Sequence, residues 1–146
     1  MLILGPKYPN SWDGRPPGMT HDDLPVWLIW RWQHPGRHDY YHYNVRVGSP
    51  IVPPENDPEN YRKMAIYNSL LRIDAIGITS EVWTIYEVKQ TAEVQTTWQV
   101  DVYRSLLRIE LPPETKIGAV IVCERADITT KTNAQELGIQ VYEIGE

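Results

Sequence analysis

The stretch LLRIDAIGITSEVWTIYEVKQTAEVQTTWQVDVY, residues 70–103, decides the fold of this chain because it encodes a β-hairpin followed by a helix. Its first two segments, residues 70–79 and 82–91, are rich in β-branched and aromatic residues, as strands are. Only a short turn separates them. A turn centred on Ser80 and Glu81 fixes the register of the predicted hairpin, since each residue before the turn then faces one residue after it.

This register brings two acidic side chains together. Asp74 lies directly opposite Glu87, and Lys89 shares the face of Glu87 because alternate residues of a strand point to the same side. Carboxylates placed roughly 4.5 to 5.5 Å apart at their Cβ atoms repel each other unless a cation lies between them. Since carboxylate oxygens are hard ligands of the kind that Mg²⁺ prefers, the hairpin predicts a divalent-cation site beside an amine.

The composition indicates one domain in a reducing compartment. A chain of 146 residues is long enough for a proper core, and its single cysteine, Cys123, lies in an apolar run typical of a buried strand. Residues 2–4 are too short an apolar run for a signal peptide, and no run approaches the length of a membrane span. We therefore expect an intracellular protein that is not secreted and makes no membrane contact.

Charge and aromatic content restrict the partners. A formal net charge of -5 argues against a broad phosphate-binding surface, so any contact with DNA has to be local. The chain has six Trp and nine Tyr but no Phe. Because Trp and Tyr combine an apolar ring with a polar group, this composition favours a surface that packs on other proteins.

The first third of the chain is predicted to make such contacts. Residues 1–23 are rich in proline and glycine without a periodic apolar pattern, which predicts an extended arm that becomes ordered by docking on a neighbouring subunit. Residues 26–33, VWLIWRWQ, are predicted to form a helix that is apolar nearly all round. Its Trp27, Trp30 and Trp32 are therefore candidate interface residues.

The remaining segments alternate between strands and helices. Residues 61–69 are compatible with a short helix or with a strand that leads into the hairpin, and the strand is preferred because a strand clearly follows. The other predicted elements are helices over residues 92–109 and 128–137 and strands over residues 40–47, 117–123 and 139–144. On the helix 92–109, an apolar stripe recurs every four residues beside a polar stripe: Val94, Trp98, Val102 and Leu106, then Gln95, Gln99 and Tyr103.

Three histidines, His34, His38 and His42, also recur every four residues and suggest a zinc site. However, Pro35 and Gly36 interrupt any helix between the first two, so the spacing has no helical meaning. A zinc site is therefore disfavoured.

The order of elements and the charged motif resemble the PD-(D/E)XK nuclease superfamily, most closely its RecB-like branch. The matching residues are Asp74 in RIDAIG, Glu87 and Lys89 in YEVKQ, and Gln99 and Tyr103 in QVDVY. The resemblance implies an α/β fold: a central mixed β-sheet flanked by helices, with a restriction-endonuclease-like αβββαβ core over residues 24–146 behind the extended arm.

The same resemblance implies a mechanism. Asp74 and Glu87 would hold one or two Mg²⁺ or Mn²⁺ ions, with the carbonyl of Val88 as a further ligand. A water activated by the metal would be the nucleophile, and Lys89 would orient it and offset charge on the phosphate oxygens.

Two further points follow from the comparison with the family pattern. Gln99 and Tyr103 would contact the water network or the nucleic acid backbone. The superfamily often adds an acidic residue from the first helix, but residues 26–33 contain none. A third acid could come only from the entry of that helix or from a loop, where the candidates are Asp22, Asp23, Glu55 and Glu59.

Three functions fit these observations. The first is a Mg²⁺-dependent DNA phosphodiesterase that works within a phage-type virion assembly, since small nuclease-fold proteins occur in phage head completion and neck regions. The second is a catalytically inert connector that retains the nuclease fold. The third is a regulatory nucleic-acid-binding domain. In the first two, the arm is expected to contact other copies of the chain or neighbouring virion proteins.

Overall fold

Residues 1–145, which the computed structural model describes, contain four helices and one seven-stranded mixed sheet against which helices pack, so the predicted α/β class is confirmed. None of the helices in these residues has the length and apolarity needed to cross a bilayer. The elements in chain order are β1 (Leu2–Ile3), β2 (Tyr8–Pro9), α1 (Leu24–Gln33), β3 (Tyr40–Val47), α2 (Glu59–Ser69), β4 (Leu71–Thr79), β5 (Val82–Ala92), α3 (Val94–Glu110), β6 (Lys116–Ala126), α4 (Ile128–Glu136) and β7 (Gln140–Glu143).

The strands lie in the order β1-β3-β4-β5-β6-β7, and β2 also pairs with β3. Strands β3, β4 and β5 are antiparallel neighbours, whereas β5, β6 and β7 are parallel. Parallel neighbours need a long crossover connection, which α3 and α4 supply. The change from antiparallel to parallel pairing therefore falls at β5, the strand that carries Glu87.

The hairpin has the register that the sequence predicts. Ile78 pairs with Trp83, and Ile76 pairs with Ile85. Ser80 adopts a φ of +53°, which closes the tight turn between β4 and β5.

Each face of the sheet carries its own core. On the α1 side, Trp27 and Trp30 are fully buried against tyrosines of the sheet, whereas on the α3 side the core is mainly aliphatic. The α1-side core includes Val26, Trp27, Trp30, Tyr41, Tyr43, Tyr86, Val88 and Val122, and the α3-side core includes Val45, Val47, Ile73, Ile76, Ile85, Val100, Tyr103, Leu107 and Ile121. Cys123 is buried in the α3-side core, as predicted.

The alternation between the two faces breaks at one place in β3. Tyr43 belongs to the α1-side core, but Val45, two residues later, belongs to the α3-side core. Asn44 between them has a φ of +53°, and the β3–β4 ladder has no pair at Asn44 and Asp74, although the pairs on either side are present. Such irregularities bend a strand and re-aim its side chains. The irregularity lies directly beside Asp74.

Residues 61–69 were the ambiguous segment, and the preference for a strand is wrong: they belong to helix α2. Pro58 precedes the helix, Glu59 lies in its first turn, and Lys63 pairs with Glu59 one turn later at 3.2 Å. None of the side chains of α2 is buried. Local helical interactions therefore decide the conformation of this segment.

Most of the apolar stripe predicted for α3 faces away from the core. Trp98 and Val102 are exposed, and the buried face consists of Thr96, Thr97, Val100, Tyr103 and Leu107. Positions four apart drift by about 40° per step around a helix of 3.6 residues per turn, so the stripe winds around the helix and only its last member, Leu106, packs against the α3-side core. Spacing of alternately three and four, as at Val100, Tyr103 and Leu107, keeps side chains on one face.

Two of the three predicted interface tryptophans are core residues instead. Trp27 and Trp30 stack on each other with ring centroids 5.1 Å apart and contact Tyr86, so another protein is not needed to cover them. Trp32 is 81% exposed, and its role at an interface stays a prediction.

The arm is ordered by its own domain. β1 and β2 pair with β3, and Met19 is buried in the α1-side core. The order of residues 1–23 therefore gives no reason to expect a neighbouring subunit, although a partner at the arm stays a prediction.

The three histidines have separate partners, and no zinc site forms from them among residues 1–145. His34 Nδ1 lies 2.9 Å from the carbonyl of Trp30, and His42 Nδ1 lies 3.0 Å from the carbonyl of Pro6. His38 is buried over Gly77, where a Cβ atom would lie 2.3 Å from the imidazole ring.

His38 forms a hydrogen-bonded chain that a neutral ring satisfies at both nitrogens. Its Nδ1 lies 2.7 Å from Thr79 Oγ1, and its Nε2 lies 2.6 Å from the Tyr86 hydroxyl. Because the Thr79 hydroxyl donates to the Arg37 carbonyl, His38 Nδ1–H donates to Thr79 and the Tyr86 hydroxyl donates to Nε2. Burial, followed by the charge of Arg37, lowers the pKa of His38 from 6.5 to about 4.

This pKa predicts a loss of stability in acid. Between pH 6.5 and about 4 the unfolded chain binds a proton at His38 that the folded chain does not, so stability falls as the pH falls, by on the order of 2 kcal/mol. The free energy of unfolding, measured in urea at pH 7 and pH 4.5, should depend less on pH in His38→Gln than in the wild type. His21→Gln, at a fully exposed histidine, is the control and should keep the wild-type dependence; equal dependence in all three proteins would contradict the prediction.

Candidate functional site

Asp74 and Glu87 are brought together as predicted, and both are buried: 5% of Asp74 and 2% of Glu87 remain exposed. The β4–β5 ladder ends at the pair Ala75–Tyr86, one position before these two residues, and their carboxyl groups lie within hydrogen-bonding range of each other. They face α3, because Glu87 shares its side of β5 with Ile85, a residue of the α3-side core.

Both oxygens of Asp74 have partners. Val88 N donates to Asp74 Oδ2 at 2.9 Å, and Arg72 Nη2 lies 3.2 Å from Asp74 Oδ1. The N–H and C=O of one strand residue point to the same antiparallel neighbour, so the Val88 carbonyl is also directed toward β4, on the side of Asp74. A metal ion held by Asp74 and Glu87 would require the Val88 carbonyl to point in this direction.

Glu87 is less well compensated. Its Oε2 atom is buried and accepts no hydrogen bond from any N–H or O–H group of residues 1–145. Burial, followed by the negative charge and hydrogen bonding of Asp74, raises the pKa of Glu87 well above its ordinary value, and Lys89 and Arg72 only partly oppose this. Burial and the neighbouring Asp74 therefore favour the neutral form of Glu87, whose carboxyl group lies within hydrogen-bonding range of Asp74.

The other predicted site residues, Lys89, Gln99 and Tyr103, differ in their burial and in their contact with the Asp74–Glu87 pair. Lys89 is half-buried on the same face as Glu87 and acts on it through its charge. Gln99 is exposed and donates from its amide nitrogen to the Tyr103 hydroxyl at 2.6 Å. Tyr103 is buried, and its pKa is raised by burial and by the charge of Glu87. The Tyr103 hydroxyl therefore stays protonated to a higher pH than that of an exposed tyrosine.

A divalent cation fits part of this arrangement. The orphaned Glu87 oxygen beside a second carboxylate is a hard, negatively charged donor set that lacks a positive partner on one side. No group of three acidic, histidine or cysteine side chains suited to a metal is present within residues 1–145. The residues present therefore suit a cation held by two carboxylates, with water and substrate completing its coordination.

None of the acids considered as a third ligand joins the pair. Asp23 accepts from Gln90 N at 3.0 Å and from the Thr20 hydroxyl at 2.8 Å, which places it at the entry of α1. Asp22, Glu55 and Glu59 are exposed, and Glu59 pairs with Lys63.

Two residues that sequence reasoning missed lie against the site. Arg72 forms the ion pair with Asp74, and Asn44 lies opposite Asp74 at the break in the β3–β4 ladder. Weak signals existed for both: Arg72 is a basic residue close to Asp74 in the sequence, and asparagine is depleted in strands but tolerated at positive φ.

The side chains of Asp74 and Glu87 are almost fully covered by their neighbours. Surface cavities of about 340 and 200 Å³ lie elsewhere, on α4 and between residues 10–14 and α1. A substrate would have to approach past the side chains at the rim of the pair, of which Arg72 is 31% exposed.

Comparisons with protein-family models, with curated proteins and with solved structures found no match.

The raised pKa of Glu87 predicts how stability depends on pH without metal. A raised folded-state pKa stabilises the protein below the ordinary value of 4.5, and this contribution is lost as the pH rises, because the unfolded chain releases the proton more readily. Glu87→Gln, which cannot ionise, should therefore gain stability relative to the wild type as the pH rises from 5 to 9.

The measurement is the free energy of unfolding in urea with EDTA present. The control is Glu81→Gln, at the exposed hairpin turn, whose difference from the wild type should stay constant over this range. A difference that does not grow with pH for Glu87→Gln would show that Glu87 is already ionised in the folded chain.

Proposed function

We propose that this chain is a PD-(D/E)XK nuclease-like protein that hydrolyses DNA phosphodiester bonds with Mg²⁺ or Mn²⁺. The observation that carries the proposal is the buried Asp74–Glu87 pair, in which one oxygen of Glu87 has no donor. Burying two carboxyl groups side by side is costly, so a cation that binds between them offers a physical reason for the arrangement.

The element order supports the proposal. From α1 to β6 the chain runs helix, strand, strand, strand, helix, strand, apart from the inserted helix α2, which matches the αβββαβ order expected from the resemblance. The setting of a phage-type head-completion or neck assembly is carried over from the same resemblance.

The residues have distinct roles under this proposal. Asp74 and Glu87 would hold the cation, together with the carbonyl of Val88. When bound, the cation would supply Lewis acidity, which lowers the pKa of water and offsets negative charge on the phosphate. Lys89 would donate to the attacking water or to a phosphate oxygen, and the Tyr103 hydroxyl, held by Gln99, would keep the groups beside Glu87 in place.

A second function, an inert connector with the same fold, is favoured by a different observation. Arg72 already neutralises Asp74, a proton can neutralise Glu87, and the described residues offer no third acid. The pair can thus be accommodated without metal. Exposed apolar side chains on the outer face of α1, which are Leu28, Ile29 and Trp32, would suit contact with other virion proteins.

Deletion of residues 1–20 does not separate these functions. The deletion removes β1, β2 and the buried Met19, so loss of assembly would follow from a damaged fold under either hypothesis. Point substitutions at the acid pair are the sharper test.

The first test is cleavage. Asp74→Asn, Glu87→Gln and Lys89→Met should each reduce Mg²⁺- or Mn²⁺-dependent cleavage of DNA by about a hundredfold or more, the scale of losing one transition-state stabiliser. Glu81→Gln should cleave like the wild type. Single-turnover assays with end-labelled single- and double-stranded DNA measure this. Unchanged cleavage in all three variants would exclude the site, and a wild type without cleavage would favour the connector.

The second test measures metal binding through protein stability and does not depend on cleavage of DNA. Mn²⁺ at a hundred times its Kd should stabilise the wild type by about 2.7 kcal/mol, since a ligand that binds only the folded state stabilises it. Glu87→Gln should not respond, because it lacks the charged oxygen, whereas Glu81→Gln should respond like the wild type. Titration of Mn²⁺ against the thermal midpoint measures the effect. A response that Glu87→Gln retains would place the cation elsewhere.

A further inference from the structure

Two arginines lie directly opposite each other beside the acid pair. Arg46 of β3 and Arg72 of β4 are partners in the antiparallel register, so their Cβ atoms are roughly 4.5 to 5.5 Å apart on one face of the sheet. Like charges placed in this way destabilise a sheet unless an anion lies between or beside them. Arg72 has such an anion in Asp74, at 3.2 Å.

Arg46 has none. Within residues 1–145 it forms no ion pair with a carboxylate, and its guanidinium lies over the ring of Tyr67 at 4.5 Å and donates to the carbonyl of Leu70 at 3.4 Å. Its Nε atom is buried and has no acceptor. An arginine held only by neutral groups has no counter-ion within residues 1–145, so its charge can pair with a further ligand.

Hydrogen bonds and close contacts hold the groups around the two arginines in place. Asn44 Nδ2 donates to the Tyr67 hydroxyl at 3.0 Å, which holds the ring under Arg46. Arg72 Nη1 donates to the carbonyl of Gly18, so an oxygen atom already fits against that nitrogen. Gly18 has a φ of +79°, and a Cβ atom there would lie 2.5 Å from Asn44 Oδ1 and 2.8 Å from Arg72 Nη1. The arm, Asn44 and Arg72 therefore meet in close contact.

We propose that Arg46 and Arg72 form a phosphate-binding site for the backbone of a nucleic acid strand, next to the Asp74–Glu87 pair. Arginine is the side chain best suited to phosphate, because its planar fork offers two parallel donors. One phosphate between the two guanidinium groups would accept hydrogen bonds from their Nη atoms and relieve the repulsion between the opposed charges. The Gly18 carbonyl occupies part of this place in the free protein.

The inference deepens the proposed function, on which its substrate class rests. It supplies the local basic contact that an acidic chain needs in order to hold DNA, since the net charge of -5 excludes a broad one. Arg46 and Arg72 alternate with Val45, Val47 and Ile73 of the α3-side core, so they point to the other face of the sheet, and the 3.2 Å contact between Arg72 and Asp74 joins them to the acid pair. The backbone of the strand would be held at Arg46 and Arg72, while Asp74 and Glu87 act on the reacting phosphate. Arg46 and Arg72 are thus binding residues, distinct from the acids.

The test measures DNA binding in EDTA, where cleavage cannot occur. The probes are a fluorescent single-stranded 20-mer and the matching duplex, and the readout is fluorescence anisotropy at several salt concentrations. Arg46→Gln and Arg72→Gln should each weaken binding by about fivefold or more and reduce the slope of log Kd against log salt by about 1. Arg46→Lys, which keeps the charge but loses the fork, should bind with intermediate affinity.

The control is Arg125→Gln, which removes the same charge at an exposed site on β6 beside Glu124 and should bind within twofold of the wild type. Loss of Arg72 also leaves Asp74 without its cation and can unfold the chain, so Arg46→Gln, which breaks no ion pair, is the decisive variant. Thermal melts followed by circular dichroism verify that it is folded.

The outcomes separate this inference from the proposed function. Equal binding by Arg46→Gln, Arg125→Gln and the wild type overturns the phosphate site, even if Glu87→Gln abolishes cleavage. A wild type that binds neither probe overturns it as well. Selective loss of binding in Arg46→Gln and Arg72→Gln supports it, whether or not the wild type cleaves DNA.

Discussion

Repulsion between two buried carboxyl groups is the constraint around which this sheet is arranged. Asp74 and Glu87 sit on adjacent strands in the middle of the sheet, where water does not screen them. Three neighbouring groups reduce the free-energy cost of burying the two carboxyl groups: the Val88 amide, the Arg72 guanidinium and the Lys89 ammonium. The cost that remains falls on Glu87, whose pKa is raised and whose Oε2 accepts no hydrogen bond within residues 1–145.

The hairpin and its acids could be predicted from the sequence because local rules decide them. A two-residue turn fixes which residues face each other, and the period of two along a strand then fixes which side chains share a face. Asp74, Glu87 and Lys89 follow from those two rules alone. Burial of Cys123 was predictable for a similar reason, since a continuous apolar run suits a strand covered on both faces.

The errors lie where tertiary contacts or weak local preferences decide. Trp27 and Trp30 looked like interface residues because α1 is apolar on all sides, and only the tyrosines of β3 and β5 explain why their side chains are satisfied within one chain. Arg72 and Asn44 could not be assigned, because their importance arises from the irregular pairing of β3 with β4 and from contact with Gly18, far away in sequence. Residues 61–69 differ, since a surface helix with no buried side chain leaves little apolar pattern to detect.

Strand β3 is shielded from other chains by the arm. Its run YYHYNVRV pairs with β4 along one side, and β1 and β2 cover parts of its other side. If the arm frayed or were clipped by a protease, unpaired amide and carbonyl groups of a tyrosine-rich, weakly charged strand would become a template for further strands. Truncated or partly unfolded chains would then tend to associate edge to edge, so an intact arm also protects the protein against aggregation.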